Sequence, residues 1–474
     1  MGRTIVEKLW DEHSVADLGD GTHLIYIDRV MFHERTGSIA LKGLEAAGRK
    51  VRNPEQVFGC MDHIVDTIPG RTDNTMVPGG IAFITETREA ARAAGVHLFD
   101  LGDERQGIVH VVSPEQGIAY PGVTLVCPDS HTCTQGALGA LAWGIGSTEA
   151  EHAMATKTLV VRKPKLMRVS FDGRPGNGVT AKDLILHLIG SHGASGGVGY
   201  AIEFAGEAVR DMAMEARFTL CNMAVEFGAW TGIIAPDETT FAYSNGRPFA
   251  PAGELWDRAV EHWRTLPTDE DARFDKEIVV DCADIVPQIT WGTSPQHATG
   301  IDGAVPDPAD EDDENRRQSM ERALAYMDLQ PGTALEGIPI DSAFIGSCTN
   351  SRLSDLRNAA AILEGRKVAV GVKAICVPGS GQVKKAAEAE GLDRIFTAAG
   401  FEWREAGCSM CFFAGGENLG QDKRAVSSTN RNFENRQGPR TRTHIASPTT
   451  VAASAIAGEL ADVRKLEPTG NNAS

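Results

Sequence analysis

The chain has 474 residues, with 64 Asp plus Glu against 46 Lys plus Arg, a formal charge of −18 and 42% hydrophobic residues. That length leaves room for roughly three domains of about 150 residues each, and the composition supports a sizeable core, which excludes wholesale disorder. So negative a charge speaks against a general nucleic-acid or anionic-membrane surface, because phosphate binding needs clustered Lys and Arg, and small-molecule chemistry moves ahead.

In chain order, the opening MGRTIVEKLWDEH places charges where a signal peptide needs an apolar run. No stretch of about 18 uninterrupted apolar residues follows, so no membrane span is expected and the cytoplasm is the default compartment. Nine cysteines, an odd number, fit a reducing environment better than a disulfide framework. Short β-branched runs then alternate with Ala-, Glu- and Lys-rich stretches of helical period, which predicts an α/β fold. Three runs, 123–127, 343–345 and 369–377, lead into the loops PDSHT, GSCTN and PGSG, the last followed by the helix-like VKKAAEAEG. Each loop follows the carboxyl end of a predicted strand, where open α/β sheets place their ligands. Residues 302–314 hold seven acids and read as a solvated linker between two lobes. A polar tail, 463–474, closes the chain.

Three constellations could carry chemistry. Cys408 and Cys411 form a Cys-x-x-Cys, with Cys348 sixty residues upstream. The pair alone fits zinc, a dithiol or two core cysteines, but zinc wants a second close pair and a dithiol wants an early βαβ unit. Three thiolates also suit an iron–sulfur cube with one iron left open as a Lewis acid. Asp62-His63, His110 and Asp129-Ser130-His131 supply acid–base and orienting groups; residues adjacent in sequence cannot form a nucleophilic triad by themselves. Finally, the segment 424–442 holds Arg424, Arg431, Arg436, Arg440 and Arg442 against Glu434 alone, locally +4 (5 − 1). Guanidinium forks match carboxylates, and only Phe433 interleaves, so a di- or tricarboxylate pocket fits better than a nucleic-acid platform. The glycine-rich loops 196–199 and 379–381 match neither a dinucleotide nor a nucleotide-triphosphate motif and are expected to be turns or helix starts.

Taken together, DSHT, GSCTNSR (346–352), GCSMC (407–411) and NRNFENRQG (430–438) resemble the aconitase superfamily. With ITWGTSPQ and ETTFAY, the run from about 7 to 462 is similar to the large-subunit branch that isomerises 2-isopropylmalate in leucine biosynthesis. The resemblance implies an α/β fold of three subdomains (about 1–160, 161–285 and 286–462, within a catalytic unit 5–462). These surround a [4Fe–4S] cluster on Cys348, Cys408 and Cys411. It implies a hydro-lyase that removes and returns water, with Asp62, His63, His110, Asp129 and His131 in the proton-handling network. Arg431 and Arg436 would hold substrate carboxylates, and Asn430, Glu203, His33 and Ser130 would line the pocket. A separate small subunit would supply the swivelling fourth domain, leaving this chain inactive alone, in a heterodimer with no nucleic-acid or membrane partner. Pro128, Cys133, the segment 412–418 and GPRTRTH depart from the family pattern, which leaves citramalate, dimethylmalate and homoaconitate as alternative substrates. An iron-responsive RNA-binding relative is the reading from a different class, and the charge opposes it.

Overall fold

The computed structural model describes residues 2–412 and 416–466. The departures at 413–415 and the tail from 467 lie outside the described residues. By contact the chain divides into two compact units. Unit 1 takes Met1–Val65, Thr72–Gly173 and Ser195–Asp281; unit 2 takes Asp66–Arg71, Arg174–Ala194 and the chain from Cys282 on.

Unit 1 holds a five-stranded parallel sheet built from β1 (Arg29–His33), β2 (Val57–Cys60), β3 (His97–Phe99), β4 (Thr124–Cys127) and β5 (Leu141–Gly144), in the order β3-β2-β1-β4-β5. Every residue of β2 and β4 is buried, as a parallel sheet covered on both faces requires. A second parallel sheet in the same unit comprises β6 (Lys165–Asp172), β7 (Tyr200–Ala205), β8 (Thr231–Ile233) and β9 (Lys276–Asp281), in the order β8-β7-β6-β9. A core of Trp10, Phe32, Leu41, Trp143 and Met154, among others, is fully or almost fully buried in unit 1.

Unit 2 repeats the first topology with β10 (Ser342–Ile345), β11 (Lys373–Cys376), β12 (Phe401–Trp403), β13 (Arg424–Ser427) and β14 (Arg442–Ile445), in the order β12-β11-β10-β13-β14. In both five-stranded sheets the chain winds outward in one direction from the central strand and then restarts on its other side. That reversal opens a crevice beyond the carboxyl ends of the two strands at the switch, β1/β4 in one sheet and β10/β13 in the other, where doubly wound proteins bind ligands.

The α/β expectation therefore stands, and two details change. The run 369–377 is strand only over Lys373–Cys376, because Gly371 at φ +94° sits in a turn closed by Val372 N–H donating to Ala369 O. The acidic stretch 302–314 is no linker between units. It lies wholly inside unit 2, where Ile301, Val305 and Pro308 are buried between the exposed acids and Val305 N–H donates to Thr333 O. Among the glycine loops, Ser380 caps the helix Gly381–Ala389 by accepting from Val383 N–H, as a helix start should.

Buried histidines make the fold acid-sensitive. Burial lowers His33 and His297 to about 4 and His444 to about 3. The unfolded chain takes these protons near its ordinary value of 6.5, so between there and about 4 it binds more protons than the folded chain and stability falls with pH. Burial also pushes Glu34 up to about 7 and Asp183 to about 6, which acts in the opposite sense and offsets part of the loss. The lowered histidines predict a loss of stability as pH falls from 7.5 to 5, reduced by the raised carboxyls. A urea midpoint of the metal-free chain that does not move across that range contradicts it.

Candidate active site

At the switch point of the first sheet, β1 ends in His33 and β4 runs into Asp129, Ser130 and His131, while Asp62 and His63 follow β2. Asp129 caps the 3-10 turn Ser130–Leu138 through His131 N–H at 2.8 Å. The same carboxylate accepts from His110 Nε2 at 2.9 Å, and His63 Nε2 lies 3.4 Å away, His131 Nδ1 3.5 Å and His33 Nε2 3.9 Å. Four imidazoles thus surround one carboxylate. Burial pushes Asp129 up, but the charge and hydrogen bond of His110, with the bonds from His131 and His63, outweigh it and hold the carboxyl well below its ordinary value.

Asp62 performs the same service for His63. Its Oδ1 accepts from His63 Nδ1 at 2.6 Å and its Oδ2 from Val109 N–H at 2.8 Å. Burial again opposes ionisation and the charge and bond of His63 prevail, so Asp62 stays ionised. A carboxylate can only accept, which fixes the proton on His63 Nδ1 and leaves Nε2 to exchange protons. The ring of His33 stacks on that of His63 with centroids 4.0 Å apart. Its pKa of about 4, set by burial and then by the His63 charge, keeps it neutral.

Two carboxylates that the sequence did not single out complete the arrangement. Glu226 Oε1 accepts from His131 Nε2 at 2.9 Å. Glu34, fully buried, gathers the backbone of the Asp62-His63 loop: its Oε1 accepts from the N–H of His63 (2.7 Å), Ile64 (2.5 Å) and Val65 (3.3 Å), and its Oε2 from Asp62 N–H (2.9 Å). Glu203 lies on β7 of the second sheet and accepts from Thr268 Oγ1 at 2.6 Å. Nothing local marks Glu226, which meets His131 across 95 positions of sequence. Ser130 is exposed beside His131, its Oγ 3.5 Å from Nδ1. Cys133 is buried and donates to Asn222 O, so this departure fills a packing position.

At the switch point of the unit 2 sheet, Cys348 follows β10 and Asn430 and Arg431 follow β13, while Cys408 and Cys411 follow β12. All three thiols are buried and none is in a disulfide. Polar groups lie against two of the sulfurs: Asn430 Nδ2 donates to Cys348 Sγ at 3.5 Å, Arg436 Nη2 donates to Cys411 Sγ at 3.7 Å, and Ser347 Oγ shares a hydrogen bond with Cys411 Sγ at 3.2 Å. Ser347 and Ser409 both adopt positive φ, +82° and +46°. Non-glycine residues held there mark a backbone forced by its surroundings to aim its neighbours. Thr67, in the short segment Asp66–Arg71 of unit 2, donates to Ser409 Oγ at 2.9 Å. Elsewhere, burial pushes the thiols of Cys127, Cys221 and Cys376 well above the ordinary value, which makes them poor ligands.

The basic segment is less concentrated than its charge count implies. Arg424 spends its guanidinium on His444 Nε2 and Met327 O, Arg440 on Asp422, and Arg442 on Tyr326 O and Asp328. Arg436 is the buried one aimed at the cysteines, flanked by the rings of Phe412 and Phe433 at 4.8 and 5.1 Å, and among the described residues its Nε has no partner. Arg431 is half-buried directly after Asn430.

The sequence profile of the aconitase family (aconitate hydratase) matches residues 7–458. The chain is 55% identical over 466 residues to the 3-isopropylmalate dehydratase large subunit 1 of Bradyrhizobium diazoefficiens, covering 98% of this chain and 97% of that one. Among solved structures, the holo-form of Thermococcus kodakaraensis aconitase X is similar at 13% identity and a TM-score of 0.45, over 90% of this chain and 89% of that one.

Proposed function

The chain belongs to the aconitase family, and on that premise we propose that it is the large, catalytic subunit of a 3-isopropylmalate dehydratase, a hydro-lyase that interconverts 2- and 3-isopropylmalate in leucine biosynthesis. The observation that carries the reading is the 55% identity, sustained over nearly all of both chains, to a relative of that name.

Family and relative imply an iron–sulfur cluster, and the donor set fits one: three buried thiols outside any disulfide, with an amide hydrogen turned toward Cys348, a guanidinium hydrogen toward Cys411 and the Ser347 hydroxyl beside Cys411. The assignment is a [4Fe–4S] cluster on Cys348, Cys408 and Cys411. When bound, it supplies a Lewis acid that eases departure of the substrate hydroxyl. His63 and His131 are assigned proton exchange with that hydroxyl, His63 oriented by Asp62 and His131 by Glu226, with His110 donating to Asp129 between them. Arg431 and Arg436 are assigned the substrate carboxylates, and Asn430, His33 and Ser130 the pocket lining. The three parallel sheets support three subdomains, about 1–160, 161–285 and 286–462.

The word "large" in the relative's name supports a small-subunit partner, which this reading needs for activity. No helix among the described residues is long and apolar enough to cross a membrane, and the reading places the enzyme in the cytoplasm with no nucleic-acid partner. The test is anaerobic purification with a candidate small subunit, followed by iron analysis and assays on isopropylmalate, citramalate and dimethylmalate. About four irons per chain and highest kcat/KM on isopropylmalate are expected. Preference for another alkylmalate overturns the substrate, and full activity without iron overturns the mechanism.

A further inference from the structure

The consecutive residues Asp62, His63, Ile64 and Val65 lie just beyond the end of β2, outside its sheet ladder. Their backbone N–H groups converge on one side chain, Glu34. Asp62 N–H donates to Oε2 at 2.9 Å, and the N–H groups of His63, Ile64 and Val65 donate to Oε1 at 2.7, 2.5 and 3.3 Å. Successive N–H groups turned to one side form a concave nest that calls for negative charge. Glu34 brings that charge as the first residue of the helix Glu34–Ala46, where the helix dipole favours an anion. Its own backbone is held as well, because Thr87 Oγ1 donates to Glu34 O at 3.1 Å. The contact is made against resistance: burial and the charge of Asp62 push Glu34 up to about 7, opposed by the charge of His63 and by these bonds.

The loop so gathered is the one that presents His63. His33, the last residue of β1, lays its ring against that imidazole with centroids 4.0 Å apart, while Glu34, the next residue, fixes the backbone that carries it. Asp62 Oδ1 holds Nδ1 at 2.6 Å. With backbone, ring face and Nδ1 all held, Nε2 stands 3.4 Å from Asp129.

We propose that Glu34 is a positioning residue for the dehydration: its carboxylate sets the backbone of the Asp62-His63 loop so that His63 Nε2 is presented for proton exchange. The inference rests on the proton-exchange role assigned to His63 above. A carboxylate accepts at both oxygens, whereas the amide of glutamine accepts at one end and donates at the other. In Glu34→Gln the amide nitrogen meets either the Asp62 N–H or the three N–H groups of residues 63–65, donor against donor, and the loop has to move. A shift of about 1 Å at a catalytic group costs on the order of 10²-fold in rate.

The experiment compares the cluster-loaded, two-subunit enzyme with its Glu34→Gln variant at pH 8, above the value of about 7 at which the wild-type carboxyl titrates. The measurements are kcat per iron-loaded chain, KM, iron content, melting temperature and hydrogen–deuterium exchange at residues 62–65. Glu34→Gln is expected to lose about 10²-fold in kcat, to hold KM within about threefold and to keep its iron. Exchange at 62–65 is expected to quicken at least about tenfold. Wild-type kcat per loaded chain overturns the proposal. A loss confined to iron content or melting temperature overturns it too, since that is what a merely structural side chain produces. If the variant does not fold, exchange in the wild-type chain decides: protection at 62–65 matching that of β2 is expected, and the rate of an open loop overturns the positioning role. A wild-type enzyme inactive on every alkylmalate overturns the proposed function instead, and exchange at 62–65 still reads the Glu34 contact by itself.

Discussion

Asp129→Asn is expected to lower kcat of the two-subunit enzyme by about 10³-fold or more while leaving the fold in place. The amide matches the carboxylate in size but brings two hydrogens and no charge. In the native arrangement Asp129 accepts from His110 Nε2 and His131 N–H, with His63 Nε2 at 3.4 Å. An amide can serve at most part of that set, and its own hydrogens meet nitrogens that already donate. The field that stabilises a protonated imidazole disappears with the charge, so the acidic limb of the pH–rate profile should move to lower pH. Substrate affinity, assigned to Arg431 and Arg436, should change far less than kcat. Steady-state kinetics from pH 5.5 to 9 separate these effects. Turnover within tenfold of wild type would remove Asp129 from the proton-handling role.

What the sequence made legible was local. Asp62-His63 and Asp129-Ser130-His131 are adjacent groups at strand ends, and adjacency after a β-branched run is visible without coordinates; β4 and β10 lie within a residue of where the pattern put them. The doubly wound order was not visible, because strand order depends on which hydrophobic faces pair in space. Glu226 and Glu34 were missed for a related reason: each serves residues 95 and about 30 positions away, and neither sits in a motif. The arginine count overstated the pocket charge because sequence cannot show that Arg424, Arg440 and Arg442 already have partners. The acidic stretch deceived by its composition: a few apolar residues spaced among the acids suffice to pin 301–308 into unit 2.

Cys348→Ser should abolish cluster binding and activity together, and the reason is chemical rather than steric. Serine preserves the volume of a side chain only 7% exposed and the contact distance to Asn430 Nδ2 within a few tenths of an ångström. Its hydroxyl, however, is not ionised near neutral pH and is a harder donor than thiolate, so one corner of the cube loses its ligand. Iron content should fall from about four per chain to near zero after desalting, the brown absorbance should vanish, and turnover should drop by at least about 10³-fold, in line with the several kcal/mol a Lewis acid contributes. The metal-free variant should melt close to the metal-free wild type. Cys376→Ser supplies the contrast. That thiol is buried within β11, and burial raises it well above the ordinary value, so the substitution places an unmatched hydroxyl in the core. It should cost about 1 to 3 kcal/mol of stability while leaving iron content and kcat unchanged. If the two substitutions behaved alike, losing stability and iron in parallel, then Cys348 would be a packing residue and the three-thiolate assignment would fall.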